Sequence, residues 1–149
     1  MHLVGFSMGA ELALGFAAEQ PDRVASLFLC GSGWSPPEAL EIYAGFADWA
    51  RSMPPEERPA DWDVDALAAV VAAVGETIPV ARDRIAALNL PARGMVGGED
   101  PEKPYLERLT GVLRGFELEV LPGIPHEASW RQPRFAAAAA AFLDHTTAR

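Results

Sequence analysis

An α/β fold built on a parallel sheet is predicted for this chain from three observations. Four short apolar segments are spaced along it, each after the first is reached through helical sequence, and the first runs straight into a Gly-rich turn and a helix. Alternation of this kind places helices on both faces of a parallel sheet of about four strands. The 149 residues suit one ordinary domain, and 50% of them are hydrophobic, enough for a sizeable core.

The elements follow in order. His2-Leu3-Val4-Gly5-Phe6 is short, apolar and β-prone, and residues 10–19 are strong helix formers with Leu12 and Phe16 on an apolar face. Pro21 and Asp22 close that helix. An apolar run at 24–30 is the second strand and stops at Gly31-Ser32-Gly33. Residues 37–53 and 64–75 read as Pro-bounded helices joined by the polar, Pro-rich segment 54–62, and a third short helix covers 80–88. Residues 92–97 read as a strand ending in Gly97-Gly98-Glu99-Asp100-Pro101, 103–114 as a helix and 116–121 as the last strand. Pro122-Gly123-Ile124-Pro125-His126 reads as a loop, and a final helix covers 133–145, its alanine tract being helix-forming. Three parts result: a strand–helix–strand unit at 1–33, a helical insert at 34–88, and a carboxyl-terminal part at 89–149.

Charge and composition exclude several partner classes. Twelve Lys and Arg against 21 Asp and Glu leave a formal charge of −9, which opposes attraction to phosphate backbones and anionic lipid surfaces. A single cysteine, Cys30, forms no internal disulfide and builds no zinc site alone; it reads as a small buried hydrophobe. No apolar run reaches the ~18 residues of a membrane span, and the amino terminus shows no secretory pattern. The expectation is a cytoplasmic protein with no nucleic-acid partner, no membrane partner, no metal and no organic cofactor.

The chemistry concentrates at Gly5-Phe6-Ser7-Met8-Gly9, a Gly-x-Ser-x-Gly turn between a strand and a helix. Such a turn lifts a serine hydroxyl clear of the sheet at a helix N-terminus, with Gly5 and Gly9 expected to let strand and helix approach closely. The Met8 backbone N–H is then placed to support an oxyanion. A serine needs a base, and a base needs an orienting acid. Of the three histidines, His2 lies at the far end of its strand and His145 near the end of the last helix, whereas His126 follows the last strand at the same sheet edge as Ser7. Among the neighbouring carboxylates Glu99, Asp100 and Glu102, Asp100 is preferred: it directly follows a strand, and its short side chain before Pro101 suits the orienting role.

The order Ser7, Asp100, His126 is that of the α/β-hydrolase triad, and the chain resembles the second half of an α/β-hydrolase of the esterase or lactonase type. The segments that carry this resemblance are Gly5-Phe6-Ser7-Met8-Gly9, Val96-Gly97-Gly98-Glu99-Asp100-Pro101 and Pro122-Gly123-Ile124-Pro125-His126. It implies a partial α/β-hydrolase fold that begins at the nucleophile strand, with residues 34–88 as the variable cap. It also implies that the earlier strands, and the loop carrying a second oxyanion donor, lie outside these residues. The first strand is then expected to present an open edge for self-association or a strand-completing partner. The implied activity is acyl-enzyme cleavage of an ester, thioester or lactone. Its alternatives are a catalytically impaired fragment or pseudoenzyme, and an interaction module. Trp34 and Trp130 are candidate pocket walls, and Phe46, Trp49 and Trp62 a candidate lid, for an apolar acyl or ring-containing substrate.

Overall fold

The computed structural model describes residues 1–36 and 39–147. Four strands, β1 (His2–Phe6), β2 (Ser26–Cys30), β3 (Ala92–Gly97) and β4 (Glu117–Leu121), form one sheet in that order. All three pairings are parallel, with His2 opposite Ser26, Leu27 opposite Ala92, and Gly97 opposite Leu121. Helix α1 (Met8–Glu19) connects β1 to β2. Helices α2 (Ala39–Ser52), α3 (Val64–Thr77) and α4 (Arg82–Ala86) lie between β2 and β3, and α5 (Lys103–Thr110) joins β3 to β4. The chain ends in α6 (His126–Ser129) and α7 (Pro133–Thr147).

Strand β2 is buried at every position, and its period-two alternation separates two cores. Leu27 and Leu29 face a cluster with Ala10, Leu14 and Ala17 of α1 and Leu106 and Leu109 of α5. Phe28 and Cys30 face the opposite cluster, with Met95 and Leu121. There α7 brings Phe135 and Phe142 to within 5.8 and 5.7 Å of the Phe28 ring, centroid to centroid. Helix-covered faces on both sides suit a parallel sheet.

The chain divides into two compact units. One comprises Met1–Trp34 with Val80–Arg149; the other is Ser35–Pro79. The segment 80–88, read above as part of the insert, belongs to the sheet unit: Ile85 and Leu88 join the core beside α1, and Arg84 Nη2 donates to the Ala18 carbonyl at 2.7 Å. In the second unit α2 and α3 pack through Tyr43, Leu67, Ala68 and Val71. Asp63 caps α3 by accepting from the Ala66 N–H at 2.9 Å. Phe46, Trp49 and Trp62 form a chain of aromatic contacts on its surface, with centroid separations of 5.1 and 6.1 Å.

Several boundaries differ from the sequence reading, each for a local reason. The helix expected at 103–114 ends at Thr110, because Gly111 caps it and the Val112 and Leu113 N–H groups turn back onto the Leu109 carbonyl. The helix expected at 80–88 is confined to five residues after an extended Ala81. Pro37, the expected start of α2, lies outside the described residues. Pro21–Arg23 makes a short 3₁₀ turn after α1, and α1 itself starts earlier than expected, at Met8. Among the described residues no helix is long and apolar enough to cross a membrane.

Candidate active site

Among the described residues, Ser7 is the non-glycine residue with positive φ, at φ 53° and ψ −128°. An L-residue holds such a conformation only where its surroundings over-determine it. Here three bonds do so. The Ser7 N–H donates to the Cys30 carbonyl at 2.8 Å, tying the end of β1 to the end of β2. Its own carbonyl accepts from the N–H groups of Ala10 and Glu11 at 2.8 and 3.3 Å, which starts α1. Although Ser7 occupies the N-cap position, its hydroxyl makes no cap bond and is available for other partners.

Close approach of strand and helix explains Gly5 but not Gly9. A Cβ on Gly5 would lie 2.4 Å from the Gly9 carbonyl oxygen and 2.7 Å from the Ala10 Cα, so only glycine fits. A Cβ on Gly9 meets nothing within 4 Å among the described residues, so the steric role expected for it is not needed here. Met8 is the first helical residue, and its N–H has no acceptor within its own helix.

Two loops at the same sheet edge bring in the other partners. After β3, Asp100 closes a tight turn: its Oδ1 accepts from the Glu102 N–H at 2.8 Å, and its carbonyl accepts from the Lys103 N–H at 3.1 Å. After β4, the Gly98 N–H donates to the Leu121 carbonyl at 2.7 Å and the Glu99 N–H to the Ile124 carbonyl at 3.1 Å, strapping the second loop to the first. Gly97 makes that strap sterically available, since a Cβ there would fall 2.0 Å from the Ile124 oxygen. His126, expected in a loop, instead opens α6. Pro125 at the N-cap and the Ala128 N–H donating to the Pro125 carbonyl at 3.2 Å wind this short turn.

The three side chains meet. His126 Nε2 lies 2.9 Å from Ser7 Oγ, and His126 Nδ1 lies 2.9 and 3.0 Å from the two Asp100 oxygens. A carboxylate only accepts, so the proton belongs on Nδ1 and Nε2 accepts from the serine hydroxyl. The Asp100 side chain is wholly buried and that of His126 is 17% exposed, leaving the imidazole reachable from one side. Phe6 packs on the ring at 5.0 Å, and Gly31, at φ 72°, passes so close that a Cβ would sit 2.7 Å from Phe6 and 3.3 Å from His126 Cε1.

Of the other expected residues, Trp130 is exposed and its ring lies 6.3 Å from Phe6, within the same aromatic group as His126. Trp34 donates from its indole to the Val80 carbonyl at 3.0 Å, and Arg108 stacks 4.5 Å over its ring, so its contacts are those of a packed side chain beside α5. Glu99 is exposed and its backbone serves the strap. Burial, reinforced by the Asp100 charge, pushes the Cys30 thiol up to about 12, which keeps it protonated and inert.

A layer behind Asp100 was not singled out in the sequence. Glu11 on α1 is buried, as is Ser32, whose hydroxyl donates to Glu11 Oε1 at 2.8 Å. Glu102 lies against the same serine. Burial raises the Glu102 carboxyl above its ordinary value; hydrogen bonding to Ser32 and the charge of His126 pull the other way, while Glu11 and Asp100 add to the rise. The sequence carries no signal for this layer, because an acid such as Glu11 in the first turn of a helix is ordinary and its meeting with Ser32 depends on how α1 packs.

No family model matches the chain, and no curated protein matches it significantly. Solved structures do. NosK from Streptomyces actuosus superposes with a TM-score of 0.70 at 28% identity, over 98% of this chain and 70% of its own. A carboxylesterase from the thaumarchaeon Nitrososphaera gargenis gives 0.72 at 18% identity, over 98% and 65%. A thermophilic esterase from Thermogutta terrifontis gives 0.67 at 24% identity, again over 98% and 65%. The chain thus spans about two thirds of the length of the structures it matches. The parallel sheet, its flanking helices and these likenesses together place the chain, by fold, in the α/β-hydrolase superfamily.

Proposed function

We propose that the chain is a serine hydrolase that cleaves a carboxylic ester, thioester or lactone through an acyl-enzyme. The observation that carries this reading is the unbroken hydrogen-bonded path from Ser7 Oγ through His126 to the buried Asp100 carboxylate. The strained backbone of Ser7 supports it independently, since strain of this kind clusters at active sites. Solved structures of similar fold described as carboxylesterases and an esterase add support.

In the first step Ser7 Oγ attacks the substrate carbonyl while its proton passes to His126 Nε2. The imidazolium so formed is stabilised by Asp100, which also keeps the Nδ1 proton in place. Negative charge develops on the carbonyl oxygen, towards the Met8 N–H and the positive end of α1. Collapse expels the alcohol, thiol or ring oxygen, which takes the proton from Nε2. Water then attacks the acyl carbon while giving a proton to the same nitrogen. The second collapse breaks the bond to Ser7 Oγ, which takes that proton back as the acid is released. The exposed Trp130 beside Phe6 would offer an apolar surface to an acyl chain or ring.

Labelling with a fluorophosphonate probe tests the proposal. Mass spectrometry is expected to find the adduct on Ser7, absent from Ser7→Ala and strongly slowed in His126→Ala. A demonstrably folded chain that never labels at Ser7 is the outcome that favours an impaired hydrolase instead.

A further inference from the structure

The unit Ser35–Pro79 has a feature of its own that does not rest on the hydrolase reading. Its residues include nine Asp and Glu against two Arg and no Lys, so it carries −7 of the chain's formal charge of −9. Such a field draws cations to the surface. Both arginines are already engaged: Arg58 donates to the Met53 and Arg51 carbonyls at 2.7 Å each, and Arg51 pairs with Asp48 at 3.4 Å. On the same unit Phe46, Trp49 and Trp62 are 40, 48 and 37% exposed. Phe46, Trp62, Asp61 and Asp63 line a cavity of about 360 Å³ whose other walls, such as Leu67 and Val70, are apolar. Elsewhere in the chain aromatic rings carry a cation: Arg23 stacks 5.3 Å over Phe16, Arg108 4.5 Å over Trp34 and Arg131 5.0 Å over Trp130. Among the described residues no guanidinium stands over Phe46, Trp49 or Trp62.

We propose that these rings, with Asp61 and Asp63, bind the alkylated ammonium group of a small organic cation. A cation within about 6 Å of a ring centroid is attracted to the electron-rich face, most strongly for Trp. The Trp49 and Trp62 rings lie 6.1 Å apart at 71°, so their planes form a corner in which a rounded cation meets both. Phe46, 5.1 Å from Trp49, extends the wall. A planar guanidinium stacks on one ring at a time, whereas the methyl groups of a quaternary nitrogen touch two rings and the apolar walls together. Asp61 and Asp63 supply the counter-charge. One Asp63 oxygen already accepts from the Ala66 N–H at 2.9 Å, which fixes that carboxylate in place. A neutral ligand of the same shape gains the apolar contact alone, and that difference is what the site is built to read.

Choline and its neutral carbon isostere, 3,3-dimethylbutan-1-ol, are titrated separately into the full chain at neutral pH. The indole N–H signals of the four tryptophans are followed by two-dimensional NMR, assigned by replacing one tryptophan at a time. Choline is expected to move the Trp49 and Trp62 signals saturably, in the millimolar range, and to leave those of Trp34 and Trp130 in place. The isostere is expected to bind about five- to thirtyfold more weakly. Trp62→Leu keeps an apolar wall without a ring, and is expected to weaken choline by a similar factor while changing the isostere less than about twofold. Asp61→Asn is expected to weaken choline alone, by about two- to fivefold. An isostere that binds within about twofold of choline overturns the proposal, leaving an apolar patch without preference for charge. Equal shifts at all four tryptophans, or no saturable shift below about 50 mM choline, overturn it as well. The comparison of the two probes on wild type decides the matter whether or not Trp62→Leu folds. Ser7 labelling is not among these readouts, so failure of the hydrolase reading leaves the result unchanged.

Discussion

At the scale of single residues, the Asp100–His126 contact makes a sharp demand on tautomer. Two carboxylate oxygens at 2.9 and 3.0 Å can only accept from Nδ1. An asparagine there would offer an amide N–H, inviting the imidazole to move its proton to Nε2 and lose the lone pair that accepts from Ser7. Asp100→Asn is therefore expected to slow Ser7 labelling by about 10³–10⁴-fold with little change in melting temperature; a loss of less than tenfold would show that the acid does not set the tautomer. Glu102 gives a stability effect with a defined sign. Its folded-state titration lies above its ordinary value of 4.5, so the folded chain binds its proton more tightly than the unfolded chain does. The stability this contributes is complete below the ordinary value and is lost as pH rises through the folded one. Glu102→Gln, which never ionises, should gain stability over wild type as pH rises from the ordinary glutamate value of about 4.5 towards neutrality. Denaturant melts across that range check it, and a gain that shrinks as pH rises contradicts the assignment.

At the scale of elements, the site depends on glycines that let loops touch. Gly97 ends β3 where the Ile124 carbonyl crosses it, and a methyl there would overlap that oxygen at 2.0 Å. Backbone cannot yield as a flexible side chain can, so Gly97→Ala is expected to cost about 1–3 kcal/mol or more and to break the strap from Glu99 to Ile124. A lowered melting temperature should accompany slower Ser7 labelling, because α6 and His126 ride on that strap; normal labelling by a stable variant would show that they do not. This dependence marks what the sequence made legible. Strands with uniform apolar character, such as β2, and the Gly-x-Ser-x-Gly turn declare themselves locally, and β3 runs over the residues expected of it. Asp100 and His126 were readable because each follows a strand at the edge where Ser7 sits. Glu11 and Ser32 were not, since their meeting depends on the packing of α1 across the end of β2, which no local pattern announces. Nor was α6, whose four residues carry no apolar period and are wound by Pro125. The open space at Gly9 shows the converse: a motif position can be glycine where these residues impose no steric need.

At the scale of the whole molecule, stability is unevenly distributed between the two units. Among the described residues, all of the largest fully buried side chains, from Phe28 and Leu14 to Met95 and Leu109, belong to the unit that contains the sheet. In Ser35–Pro79 the described buried members of the cluster joining α2 and α3 are Ala68 and Val71, with Tyr43 and Leu67 partly covered, and Ala50, Val74 and Ile78 are also buried in this unit. Apart from Ile78 these described side chains are alanine and valine, each of which at about 25 cal/mol per Å² contributes less than a leucine or phenylalanine around β2. The helical hairpin is therefore expected to open below the free energy at which the sheet unfolds, as locally weaker units do. Native-state hydrogen exchange read by mass spectrometry should find α3 amides exchanging at a lower free energy than those of β2 and β3, with a different dependence on denaturant. Ser7, Asp100 and His126 all lie in the sheet unit, so labelling of Ser7 should persist at denaturant concentrations where α3 already exchanges freely. Loss of both signals in one transition would mean that the hairpin and the sheet fold as a single cooperative body, and that the hydrogen-bonded path at the sheet edge draws on both.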